Sequence, residues 1–131
     1  MSTLSVSNVS DGTTTVGTSY VVNGSAKAWA TFDQNTPAIV DSINTSSLTD
    51  TATGKGDLNW TSAMSNTLYS VPTNSNYVSS ATAYAVTLVD DYNQNNRTAS
   101  KWYFRNAYAN NASAAFFDSD RGQVVVLGDL A

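Results

Sequence analysis

Apolar residues in this chain recur at every second position, and that period constrains the fold more than any other feature. A strand turns successive side chains to opposite faces, whereas an amphipathic helix needs apolar residues spaced near 3.6. Leu4 and Val6 alternate with polar neighbours, and Leu58, Trp60 and Ser62 alternate with Asn59 and Thr61. Across residues 77–89, Val78, Tyr84, Val86 and Leu88 share one face, with Tyr77, Ala81, Ala83, Ala85 and Val89 on the other. Trp102 and Phe104 oppose Tyr103 and Arg105, and Phe116-Phe117 and residues 123–127 add two apolar segments. No stretch has convincing helical spacing, and Thr, Ser, Asn and Val, weaker helix formers, dominate.

Turn chemistry separates these runs at Asp11-Gly12, Asn23-Gly24, Gly54-Lys55-Gly56, Val71-Pro72-Thr73-Asn74, the Asn93–Asn96 cluster and Arg121-Gly122. Short strands between such signals predict an all-β fold, an antiparallel, jelly-roll-like β-sandwich. Residues 36–47 are ambiguous: Pro37 before Ala38-Ile39-Val40 suits the opening of a strand at a sheet edge. Residues 1–20 carry no aromatic before Tyr20, and two readings stand. One is an N-terminal arm that needs a partner surface for attachment; the other is an ordinary first strand. Residues 21–131 form the expected sandwich domain.

Composition narrows the chemistry. With 131 residues the chain holds one core, and charged residues make up 12% of it against about 25% in an average soluble protein. The net charge of −4 and the scatter of Lys27, Lys55, Arg97, Lys101, Arg105 and Arg121 argue against a nucleic-acid partner. No run reaches the ~20 apolar residues of a membrane span, so no membrane insertion is expected. The opening Met1-Ser2-Thr3-Leu4-Ser5-Val6 lacks the features of a signal peptide. Synthesis in a cytoplasm, with release by lysis as part of a particle, fits that start. His, Cys and Glu are all missing, which removes Ser-His-Asp and Cys-His catalysis and the imidazole and thiolate ligands of zinc or copper. No cofactor and no metal is expected.

The remaining candidates are carboxylates and aromatics. Asp90-Asp91 and Asp118-Ser119-Asp120 are the closest acidic pairs, but adjacency does not set the separation a glycosidase needs. Loop solvation and turn capping are the simpler roles. Asp118 and Asp120 also resemble a fragment of an oxygen-ligand calcium loop whose full pattern is absent. Asn-x-Ser/Thr triplets at Asn8, Asn23, Asn44, Asn59, Asn96 and Asn111 follow from composition. Trp29, Trp60 and Trp102 lie in alternating runs and are expected in the core. Tyr92, Asn93, Asn95, Tyr108 and Asn110, on or beside Asn-rich loops, are the candidate ligand-binding residues, suited to sugar rings.

Four blocks carry a resemblance. Val22-Asn23-Gly24-Ser25-Ala26-Lys27-Ala28-Trp29-Ala30-Thr31-Phe32-Asp33 resembles the N-G-S-x-K-A-W-x-x-F opening of a family of phage tail-fibre and virion structural domains. Asp41-Ser42-Ile43-Asn44-Thr45-Ser46-Ser47-Leu48-Thr49-Asp50 is similar to its D-S-x-N-x-S-S-x-x-D segment. Gly56-Asp57-Leu58-Asn59-Trp60-Thr61-Ser62-Ala63-Met64 is similar to G-D-Y-x-x-x-F-x-x-A-M, with an N-x-x-Y element at Asn66 to Tyr69. Gln123-Val124-Val125-Val126-Leu127-Gly128-Asp129 resembles the V-x-V-x-x-F-G-D close. The likeness covers residues 22–131 with 74–120 variable, and Leu58, Trp60 and Leu127 are apolar-for-apolar departures. It implies a β-sandwich assembled as a homotrimer, without catalytic residues. The implied role is a structural protein of a tailed bacteriophage virion, a surface-displayed tail-fibre or tip domain meeting host surface glycan beside other virion proteins. The alternative is a capsid decoration protein anchored by its N-terminal arm.

Overall fold

A computed structural model describes residues 2–76, 85–91, 97–109 and 114–131, and these described residues form antiparallel strands and one short helix. In chain order these are β1 (Asn8–Ser10), β2 (Thr15–Gly17), α1 (Thr18–Gly24), β3 (Ala26–Asp33), β4 (Ala38–Ile43) and β5 (Thr45–Ala52). Then come β6 (Lys55–Trp60), β7 (Thr73–Ser75), β8 (Ala85–Asp90), β9 (Lys101–Ala109), β10 (Ala114–Phe116) and β11 (Gly122–Leu127). The all-β expectation holds. The alternation read over 77–84 lies outside the described residues.

Strands β4-β3-β11-β7 form one sheet, in that order. In a second, β5 pairs β6 and β6 pairs β9; β8 takes the opposite edge of β9, and β10 follows β6 along the near edge. Period-two burial sets the inner faces. Ala28, Ala30 and Phe32 of β3 and Val124 and Val126 of β11 are buried, as are Leu58 and Trp60 of β6 and Trp102 and Phe104 of β9. These residues belong to one core cluster drawn from both sheets. The Phe32 and Phe104 rings meet at 5.0 Å, and Trp102 lies 5.4 Å from Phe104.

Each sheet seats its phenylalanine on a glycine in the neighbouring strand. Gly122 is the register partner of Phe32, and Gly56 that of Phe104. A Cβ on either glycine would collide with the partner ring. An aromatic laid over a cross-strand glycine covers backbone that would otherwise lack a side chain. Burying such a ring contributes about 1.5–3 kcal/mol.

Hydrogen bonds join the sheets at both sides. On one side Asn44, at φ 54°, turns the chain from β4 in the first sheet to β5 in the second. Its Nδ2 donates to Lys27 O and Ser62 O, both at 3.0 Å, and its Oδ1 accepts from Ser62 N at 2.6 Å. Asn tolerates this left-handed backbone better than other non-glycine residues. On the other side Thr73 Oγ1 of β7 donates to Leu88 O of β8 at 2.6 Å. Pro37 precedes β4, and β4 is an edge strand, which resolves that ambiguous stretch as a sheet edge.

The N-terminal segment departs from the sequence reading in two ways. Residues 2–6 are not in a strand; the first strand begins at Asn8, and β1 and β2 close a hairpin around Asp11-Gly12. Gly12 has φ 94°, and Asp11 Oδ1 accepts from Thr14 N at 2.7 Å and Thr13 N at 2.9 Å. Those donors, Thr14 first, hold the Asp11 carboxyl below its ordinary range. The hairpin leads into α1, which helical periodicity did not reveal. Seven residues make barely two turns, Gly17 caps the helix with no side-chain bond, and the helix buries no residue. A helix that packs on nothing shows no apolar stripe.

Candidate functional site

The sequence-proposed ligand residues divide between two places. Tyr92, Asn93, Asn95 and Asn110 lie outside the described residues. Tyr108 stands on β9, half-buried, with its ring edge-on to Phe117 at 5.9 Å and 62°. Asp91 and Arg97, which bracket residues 92–96, sit at the start of β9: Asp91 N donates to Tyr103 O, and Arg97 bridges Trp102. Ala109 and Ala114, which bracket residues 110–113, pair with each other where β9 ends. A strand rises about 3.3 Å per residue, so the two anchor points are ~20 Å apart along β9.

The acidic candidates are held by partners that adjacency did not disclose. Asp90 receives Arg97 through Nε at 2.9 Å and Nη2 at 2.8 Å, and Trp102 Nε1 at 2.5 Å. Arg97 Nη1 also donates to Tyr69 O, and the guanidinium lies 5.3 Å from the Tyr69 ring. Asp91 is buried and pairs with Arg105 at 2.8 Å. Loop solvation therefore fails for these two carboxylates, because each is folded against a cation. Asp118 Oδ1 accepts from the backbone N of Gly54 at 2.6 Å, a cap on the β5–β6 turn formed across 64 residues rather than within its own turn. Among the described residues no three carboxylates gather as a cation cluster.

Asp90 and Arg97 stand in register with the core-facing Phe104 and Trp102, whereas Lys101 and Arg105 project from the outer face of β9. Lys101 Nζ reaches Asp57 Oδ2 at 3.1 Å, and that bond raises the ammonium's pKa. The same ammonium stands 5.2 Å from the Tyr103 ring, while Arg105 stands 4.5 Å from Phe116. Basic residues scattered in sequence thus converge with aromatics and carboxylates on strands β6, β8 and β9. Arg97, Lys101 and Arg105 each carry an acidic partner, and Lys55 stands beside Arg105 in register.

The outer face of the first sheet is different. Trp29 was expected in the core with Trp60 and Trp102. Those two are buried at 6% and 1% exposure, but Trp29 projects from the opposite face of β3 to Ala28, Ala30 and Phe32 and is half-buried. Phe32 holds the inner parity because Gly122 faces it, whereas Val125 faces Trp29. Register places Ile43, Trp29 and Val125 in one row across β4, β3 and β11. Asp41, Thr31, Gln123 and Asn74 form the next row. Val125 N donates to Pro72 O at 3.0 Å, which holds the segment before β7 against β11. Between that segment and Trp29 runs an open groove of about 370 Å³. Period-two reasoning missed it because β3 has a large aromatic at each parity.

A second, wider hollow of about 970 Å³ lies where the N-terminal segment meets the sheets. Val21, Val22 and Leu130 contribute apolar surface to it, and Lys27 and Asp129 contribute charge. Lys27 Nζ donates to Val22 O and, at 2.9 Å, to Ser25 Oγ, tying the end of α1 to β3. Comparison with protein-family models found no match, and comparisons with curated proteins and with solved structures found none either.

Proposed function

We propose that this chain is a non-enzymatic structural protein of a tailed bacteriophage particle, a surface-displayed tail-fibre or tip domain whose body contacts the host cell surface. In this reading the two sheets form a jelly-roll-like sandwich, and three copies assemble side by side. The observation that carries it is the N-terminal segment. Over residues 2–26 only Gly17 and Thr18 are even partly covered, and Leu4, Val6, Val9, Val16, Tyr20, Val21 and Val22 are all exposed. Ordered chain with that much uncovered apolar surface is built to lie against another protein.

The blocks that resemble the virion domains also support the reading. They fall on β3, on β4 and β5, on β6 and on β11, and they supply Ala28, Phe32, Leu58, Trp60, Met64, Val124 and Val126 to the core. Val40, on the edge strand β4, leaves apolar surface for a neighbouring copy. A non-catalytic role fits carboxylates engaged in holding strands and turns, as Asp57, Asp90, Asp91 and Asp118 are.

A second reading, a capsid decoration protein, draws on the N-terminal arm, with residues 1–20 seated on a capsid lattice. Immunogold labelling of intact particles separates the two. Gold at the tail end supports the tail-tip reading, gold over the head supports the decoration reading, and particles without gold overturn both. Light scattering tests assembly: the expected mass is three times 13.9 kDa, and a monomer at moderate concentration overturns the trimer.

A further inference from the structure

The Trp29 groove has a chemistry that specifies its ligand. Trp29, Val125 and Pro72 give its lining apolar surface. Its rim is polar: Thr31, Asn74 and Gln123 stand along the next row of the sheet. None of the residues lining it is charged, in a chain whose net charge is −4. An anionic ligand would find no counter-charge there, the one charged group in the rim's row being Asp41, and a wholly apolar ligand would strand the rim's donors.

The rim is also oriented. Asn74 Oδ1 accepts from Ser75 N at 3.0 Å, and Asn74 Nδ2 donates to Gln123 Oε1 at 3.2 Å. That leaves Gln123 Nε2 as a donor and Thr31 Oγ1 as donor or acceptor, neither bonded to another described residue. The ligand that matches is a flat molecule with one C–H face and a hydroxyl edge. A volume of about 370 Å³ falls in the range of small-molecule sites.

We propose that the outer face of the first sheet binds a neutral hexopyranose unit, its C–H face stacked on the Trp29 indole and its hydroxyls held by Gln123 Nε2 and Thr31 Oγ1. This rests on the reading of the domain as a host-surface binder, and it places the contact on the first sheet instead of on residues 92–96 and 110–113. Trp29 is the platform because it brings a large, rigid apolar face with a polar edge and loses little rotamer freedom on binding.

The test titrates the full chain with methyl α-glucopyranoside, methyl α-mannopyranoside, methyl β-galactopyranoside and N-acetylglucosamine. Glucuronic acid serves as a charged control. The readout is the indole N–H resonance of Trp29, assigned with Trp29→Phe, together with the backbone amide resonances of Thr31, Gln123 and Val125, which report binding in the Trp29 variants. At least one neutral sugar should shift it with millimolar affinity, the scale of a single stacked ring. Trp29→Ala should weaken binding at least ~10-fold and Gln123→Ala ~5-fold, one lost hydrogen bond being worth about that factor. Trp29→Phe, which keeps an aromatic ring, should stay within ~3-fold if stacking is the main term.

The proposal is overturned if no neutral sugar moves the Trp29 resonance at ~50 mM, well above that affinity. It is overturned equally if Trp29→Ala and Gln123→Ala, both still folded by circular dichroism, bind as the parent does. A Trp29 shift that follows protein concentration alone, with no sugar effect, assigns the face to a second copy and also overturns it. Gold over the head together with a sugar-dependent Trp29 shift would sink the tail-tip reading and leave this inference standing. Gold at the tail with no sugar response does the reverse.

Discussion

Replacing Asn44 should show how much of the fold depends on one corner. Its amide makes three hydrogen bonds, to Lys27 O, Ser62 O and Ser62 N, at the point where the chain leaves one sheet for the other. A neutral hydrogen bond contributes about 0.5–1.5 kcal/mol net, so Asn44→Gly, which keeps the left-handed backbone free of strain, should cost about 2–3 kcal/mol. Asn44→Ala loses the same bonds and puts a Cβ at φ 54°, a conformation that costs about 1–2 kcal/mol. The stiffer unfolded chain returns about 0.4–1 kcal/mol, leaving Ala worse than Gly by up to ~1.6 kcal/mol. In a domain of this size 1 kcal/mol moves Tm by roughly 3–5 °C. Asn44→Asp adds a pH signature. It keeps the acceptor for Ser62 N but sets a carboxylate against two carbonyl oxygens, which raises its folded pKa. The deficit relative to wild type should therefore be full at neutral pH and shrink as pH falls through that raised value. Urea unfolding followed by tryptophan fluorescence, at pH 7 and at pH 4, measures all three variants against the parent. Losses under ~0.5 kcal/mol for Gly and Ala, below the worth of a single bond, would refute the argument. So would an Ala variant clearly more stable than Gly, or an Asp variant whose deficit ignores pH.

Four further outcomes follow from other parts of the fold. Gly122→Ala drives a methyl group into the Phe32 ring and should cost ~1–3 kcal/mol or more in urea titration, whereas Gly24→Ala, with nothing near its Cβ, should cost far less. Tyr69 OH donates to Thr98 O and Lys101 O, both at 3.0 Å, so Tyr69→Phe should destabilise by ~1–3 kcal/mol. Burial raises the Tyr69 phenol above 10.0; the unfolded chain therefore loses that proton first, stability falls as pH climbs past 10, and Tyr69→Phe should flatten the alkaline limb. Desolvation, then the charge of Asp118, raises the Asp50 carboxyl above 3.8, so its ionised form costs stability at neutral pH and that cost fades as pH falls through the raised value. Asp50→Asn should accordingly raise Tm slightly at pH 7 and leave it unchanged below 3.8, with calorimetry as the check. Removing residues 2–24, where no side chain is buried, should change Tm by less than ~2 °C, well under the loss from one buried group.

Much of the β architecture was legible because its signals are local. Trp102 and Phe104 against Tyr103 and Arg105, and Leu58 and Trp60 against Asn59, sort by parity alone, and the structure buries each on the side that parity selects. Asp11-Gly12 marks a hairpin and Pro37 an edge strand for equally local reasons, a left-handed glycine and a missing N–H. Parity could not choose a face for β3, where Trp29 and Phe32 compete for the core. That choice rested on Gly122, ninety residues away along the chain, whose missing side chain makes room for Phe32. The roles of Asp90, Asp91 and Asp118 were hidden in the same way, since Arg97, Arg105 and the Gly54 amide reach them only once the strands pair. The sequence by itself determined that the chain makes strands, where many of them turn, and which catalytic chemistries it lacks. Only the tertiary structure decided which tryptophan faces solvent and which carboxylates are held by cations, because both depend on residues distant in the chain meeting across the sheets.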